Sequence, residues 1–394
     1  MASSRNTRNA PGTLRRVLFV GNNWDGTVDV LEPVGDLRPI GRVNVVPDLS
    51  ARLREIYRNP VRLAFFLRVR QVIGEGHDQL VDDVYSTPDG SAIVVSRPSL
   101  ADVVCVSLTT GELRWRFPVA GFRADHMGLS PDGTTVTVSA FTARTVHVLD
   151  IETGAEKGSF RTGDMPHETV FTDGGRRLWN MSVGFVWTDF DARWQDFTKG
   201  DRHITIADAR THEVLRTISM RSRLDAFGRP DLSHSVRPSV FSPDESRLYF
   251  QVSFFNGFIE YDTTKDEITR VATLPANPAT TPDRTAWVND SRHHGITMNS
   301  DGTKVCVAGV MDNYAVVVDL ATFQHGPLVP AAQPYWAATT ADGTAAVVSE
   351  SAAGRVTAID FATGRKTASV DVGQHPQRIR LGYTSPDWTP PPAR

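Results

Sequence analysis

The chain repeats itself, and the repeat limits what it can build. One stretch reads FRADHMGLSPDGTTVTVSAFTARTVHVLDIETGAEKGSFRTG, and the next starts over as DMPHETVFTDGGRRLWNMSV. His126 and His167 each stand six residues ahead of a turn aspartate, Asp132 or Asp173. An alternating apolar strand follows each turn, then a second strand and an ETG-type turn. A period of about 40 to 45 residues with four short strands per unit is the blade of a β-propeller.

Six units open in this way, at His77, His126, His167, His234, His293 and Gln333. The first unit, RRVLFVGNNWDGTVDVLEP, lacks an opening strand, while a lone opener, GQHPQRIRLGYT, comes near the end of the chain. Joined, they make a seventh blade, and such closure removes the open sheet edges. The sequence therefore predicts an all-β, seven-bladed β-propeller over residues 15–385, closed by N- and C-terminal strands in one composite blade. A disordered N-terminus (1–14) precedes it and a Pro-rich tail (386–394) follows. Residues 49–74 break the pattern with helical apolar spacing, and Pro60 divides them into two short helices. The openers carry small residues, as the crowded strand nearest the axis requires.

Several units match a known pattern: SPDG at Ser130–Gly133, VHVLDIETG at Val146–Gly154, VVVDLAT at Val316–Thr322 and VTAIDFATG at Val356–Gly364. On these residues the chain resembles the YVTN family of seven-bladed propellers. The resemblance implies the fold and leaves function to the site.

Composition excludes more than it assigns. Lys plus Arg is 42 and Asp plus Glu 45, a formal net charge of −3, which argues against a nucleic-acid partner. No apolar run is long enough for a membrane span, and no secretory signal stands at the N-terminus, so a cytoplasmic location is expected. Cys105 and Cys306 sit in apolar strand runs and read as buried thiols. No Walker loop, dinucleotide fingerprint, HExxH or GxSxG is found, so no nucleotide cofactor is expected. Richness in Arg, Ala, Pro and Gly points to a high-GC genome and a place in secondary metabolism.

The departures from the repeat locate the site. Insertions at 49–74, 184–202, 220–233 and 276–292 all belong, by strand accounting, to one face, and insertions gathered on one face mark the binding face. The openers bring His126, His167 and His294, with His77, His234 and His375 next, to the same rim. Converging neutral imidazoles with an open position suit a metal ion, here Cu, Fe, Zn, Mn or Mg. Glu168, Asp83 and Asp125 are the expected acid–base or orienting groups. Trp24, Trp187, Tyr314 and Trp336, with Arg97, Arg144 and Arg237, are expected to bind the substrate. The reading is an enzyme acting on a small or medium organic molecule at the channel mouth. Two alternatives stand beside it: an interaction or ligand-binding scaffold, and a metal-free lyase or isomerase using His/carboxylate pairs. Residues 49–74 are expected to form a lid.

Overall fold

A computed structural model describes residues 14–391. The expected disordered N-terminus lies outside the described residues except for Leu14. Seven four-stranded antiparallel sheets form the ring, and within each the opener is at one edge. The composite blade orders Pro376–Thr384, Arg15–Asn22, Thr27–Leu31 and Pro39–Asn44, as the sequence requires. Blade openers then follow at Val84–Ser86, Ala124–Leu129, Pro166–Thr172, Val236–Phe241, Ile296–Met298 and Pro334–Thr339.

Local chemistry explains the repeat. In the SPDG turn Asp132 Oδ1 accepts from the Thr134 amide at 3.0 Å, and Gly133 takes a left-handed φ of 71°, the dihedral that favours glycine in a tight turn. Small openers are a packing necessity. A Cβ on Gly128 would lie 2.4 Å from the Thr169 carbonyl, and one on Gly295 2.7 Å from Trp336 Cα. Between blades, alternate strand residues interlock in apolar clusters such as Val17, Phe19, Val84, Ile93 and Val104. Cys105 and Cys306 are free and buried.

The Pro-rich tail is docked as far as it is described. Trp388 packs into that same cluster and donates from Nε1 to the Leu108 carbonyl at 2.8 Å. The insert 49–74 forms helices Leu49–Arg58 and Pro60–Val72, with Asn59 capping the second through its side chain. Residues 220–233, expected as a loop, contain a further helix, Met220–Phe227. Its apolar residues Met220 and Leu224 are buried, and Gly228 ends it at φ 87°, a left-handed stop. Among the described residues, no helix is long and apolar enough to cross a membrane.

The four inserts are tied to one another. Arg193 and Arg221 pair with Asp225 and Asp196, Lys199 with Asp290 at 2.8 Å, and Arg68 lies over the Trp187 ring. They therefore share one face, as the strand accounting requires.

Candidate metal and acid–base centre

The axial ends of the openers do not alternate regularly. The pairing register breaks between Ala124 and Met127, between Pro166 and Thr169, between Val236 and Ser239, and between Pro334 and Trp336. It breaks again where Val20 and Asn22 face Ile379 and Pro376. Such bulges re-aim side chains and concentrate beside functional sites. The irregular residues include Asp125, His126, His167, Glu168, Arg237, Tyr335, Gln377 and Arg378. Two neighbours on one strand, Asp125 and His126, thereby both line a single internal cavity.

That cavity has room for about 20 Å³, the volume of one water-sized occupant. Asp82, Arg123, Asp125, His126, His167 and Arg237 contribute to its wall. Above it Ile73, Phe141, Met165, Val183 and Val186 form an apolar cluster, in which Ile73 and Val186 come from the inserts.

Three imidazoles cluster at the axis, of which His126 and His167 line the cavity and His294 lies beside it. The rings of His126 and His167 are 3.7 Å apart, and His294 lies 5.7 Å from His167 and 6.3 Å from His126. Their hydrogen bonds fix their tautomers. His167 Nδ1–H donates to Asp125 Oδ2 at 2.7 Å, and His294 Nδ1–H donates to the Tyr335 carbonyl at 3.2 Å. The lone pairs of His167 and His294 are therefore on Nε2, and both Nε2 atoms are buried without a partner. His126 differs, because its Nδ1 accepts from Arg378, leaving its N–H on Nε2, 3.7 Å from Asp82 Oδ2. One donor atom each from Asp125, His126 and His167 lies within 4.8 Å of the others. Imidazole lone pairs oriented by a carboxylate or carbonyl on the far nitrogen are the donor arrangement of protein metal sites.

Electrostatics keeps the imidazoles neutral. Burial first, then the Arg378 guanidinium, holds His126, His167 and His294 well below the usual imidazole range. Burial pushes the Asp82 carboxyl up to about 7 and Asp125 to about 6, against the pull of Arg378 and Arg123. Glu168 is raised by burial too, and its Oε2 accepts from the Ser239 amide at 2.7 Å. Asp83 goes the other way. Burial alone would raise it, but the two-pronged bond from Arg380, 2.8 and 2.7 Å, holds it low. Asp83 thus braces two openers and has no free oxygen for acid–base work.

The other expected residues are scattered. His77 and His375 sandwich Trp24 at 3.7 and 4.0 Å, and His375 Nε2 faces Glu75 at 3.3 Å. His234 is buried near Arg202 and Arg221, and burial pushes it down to about 3. None of these three joins the axial cluster. Arg97 is fully buried, holding Asp102 and Asp48, so it braces the lid helices and has no N–H free for a substrate. Arg144 pairs with Asp201 and Asp164 at the surface. Tyr314 donates to the Pro275 carbonyl and packs on His293. Arg237 does line the cavity, held by Ser253 Oγ and the Asn289 carbonyl. Trp336 lies at the axis beneath the Arg378 guanidinium, 3.7 Å from it, and Trp187 belongs to the roof.

Arg378 is not among the expected site residues. Its signal was the alternation QRIR in the closing opener, which sets Arg378 and Arg380 on one face of an axial strand.

No protein-family model matches the chain, and no curated protein is similar to it in sequence. Among solved structures it is similar to hydrazine synthase of Kuenenia stuttgartiensis, with 17% identity and a TM-score of 0.55 over 72% of this chain and 77% of that one. At that identity the likeness is one of fold, and it agrees with the seven-bladed ring.

Proposed function

We propose that the axial centre holds a metal ion and that the protein is an enzyme acting there on a small molecule. The observation that carries this is the pair of buried, unpartnered Nε2 lone pairs on His167 and His294, beside the Asp125–His126–His167 group. A buried acceptor without a partner costs free energy unless something fills the space. His167 and His294 would supply nitrogen donors, and His126 a third on release from Arg378. Asp125 either joins them or orients His167. Imidazole with carboxylate suits Zn, Cu, Fe or Mn better than Mg. Such an ion would act as a Lewis acid on a bound oxygen or nitrogen donor.

The chain's own groups supply the rest. Asp82, which burial raises in the metal-free centre and a bound cation would lower again, can take or give a proton at its Oδ2, 3.7 Å from His126 Nε2. The Arg378 guanidinium favours an anionic ligand beside it. The apolar cluster over the cavity limits the access of bulk water. Affiliation with the YVTN propellers is part of the same reading, supported by the turn motifs and the ring of seven.

The test is metal analysis of protein purified without a nickel column. One ion per chain, lost in His167→Gln and in His294→Gln, is expected. No ion, together with refusal of added Zn, Cu, Fe and Mn, overturns the metal. The raised Asp82 and Asp125 favour the metal-free His/carboxylate reading as the alternative, which would then stand if the same variants abolish activity.

A further inference from the structure

The axial cavity is too small for an organic molecule, yet a second cavity of about 370 Å³ lies over the roof, within the range of small-molecule sites. The two share Val186 and Asn289 in their walls. We propose that this outer cavity is the binding site for a planar aromatic carboxylate, whose far end reaches the axial centre past Asn289. The inference rests on the reading of the axial centre as the reacting site.

Three inserts build the cavity, and their chemistry names the ligand. Trp187, from 184–202, is 40% exposed, stacks on Phe185 at 4.6 Å and has the Arg68 guanidinium over its ring at 5.8 Å, so it offers its edge to the cavity. Trp287, from 276–292, lines the same space. Two indoles form walls for a flat ring. Arg284 lies over Phe254 at 4.6 Å and near Trp287 at 5.9 Å. It acts on Asp191 only through space and makes no ion pair within 4.0 Å among the described residues, so its N–H edge can take a two-pronged bond. Asp189 also lines the cavity and would accept from a donor on the ring.

The wall between the two cavities carries polar groups and backbone strain. Thr188 Oγ1 and Asn289 Oδ1 are buried with no hydrogen-bond partner. Asn289 also holds a left-handed φ of 47°, a conformation that non-glycine residues keep only where the surroundings impose it, often at ligand clamps. Its backbone carbonyl binds Arg237 of the axial wall, which links the two cavities mechanically.

The probe is cinnamate, with neutral cinnamamide as its control, titrated calorimetrically into the full chain. Cinnamate is expected to bind at least ten-fold more tightly than the amide. Arg284→Gln should remove that preference, and Trp287→Leu should weaken both, with metal content unchanged in each variant. His167→Gln separates the two readings: loss of metal with cinnamate binding intact is expected. Equal binding of acid and amide, a preference that survives Arg284→Gln, or no binding of either compound overturns the proposal. If wild-type protein holds no metal yet cinnamate binding follows Arg284, the metal reading falls and the outer site stands.

Discussion

Asp125→Asn isolates what orients His167. In the wild type Asp125 Oδ2 accepts from His167 Nδ1 at 2.7 Å, while Oδ1 faces the Arg123 guanidinium at 3.3 Å. Both partners donate, and a carboxylate accepts from both. Asparagine has one oxygen. If it turns the oxygen to Arg123, its amide N–H meets His167 Nδ1, which must then accept. The imidazole proton moves to Nε2, and the lone pair aimed at the axis is lost. If it turns the oxygen to His167, two donors face each other at Arg123. Either arrangement is penalised, and loss of such an orienting partner typically lowers metal affinity ten- to hundred-fold, or about 1.4 to 2.8 kcal/mol. The assay is competition for the ion against a chelator of known affinity, with far-ultraviolet circular dichroism confirming the fold. An affinity within two-fold of wild type in a folded variant would refute the account of the His167 tautomer, and with it the donor geometry of the site.

Three further outcomes follow from buried charges and from the tail. Asp82 has its folded pKa raised to about 7, so the native state holds a proton that the unfolded chain gives up near pH 4. In metal-free protein its contribution to stability therefore falls as pH rises from about 4 to 7, and Asp82→Asn should gain on wild type across that window, by a few kcal/mol at most; parallel urea midpoints at pH 5 and 8 would contradict this. Arg97→Met takes the buried guanidinium from between Asp102 and Asp48, which keep only Arg116 and Arg52 as partners, and should cost about 3 kcal/mol in urea unfolding, the low end for a broken buried pair, whereas a change under about 1 kcal/mol with altered ligand binding would restore Arg97 as a substrate residue. Trp388→Ala removes a side chain that is 7% exposed and its bond to Leu108, with an expected loss of about 3–5 kcal/mol; a thermal midpoint unchanged within error would show that the docked tail adds nothing to the ring's stability.

The ring itself was legible because turns and strand alternation are local. Asp132 and Gly133 specify their hairpin whatever surrounds them, and six such turns with one composite blade closed by the chain ends fix the blade count. The convergence of His126 and His167 was legible for the same reason, since equal distance from a turn means equal depth along the axis, and His294 stands only one residue further from its turn. What failed was anything decided by contacts between blades. Arg97 reads like a substrate clamp in a loop, yet Asp48 from the lid and Asp102 from its own blade neutralise it. Asp83 reads like a base until Arg380, nearly three hundred residues away, occupies both oxygens. His77 and His375 share the rim with the others but are drawn aside by stacking on Trp24. The bulges were invisible because no residue type demands them. They follow from fitting openers around a narrow axis, and they turn Asp125 and His126 together into one space.

Closure by Pro376–Thr384 has a consequence for how the centre comes into being. Arg378, which engages His126 and covers Trp336, rides on the strand that completes the circle. A shortened polypeptide lacking this segment could form six sheets and still own every histidine, but its imidazoles would face an unfinished, wetter hollow. Ring completion and charge balance at the hub are one event, so partly folded chains are spared a reactive interior.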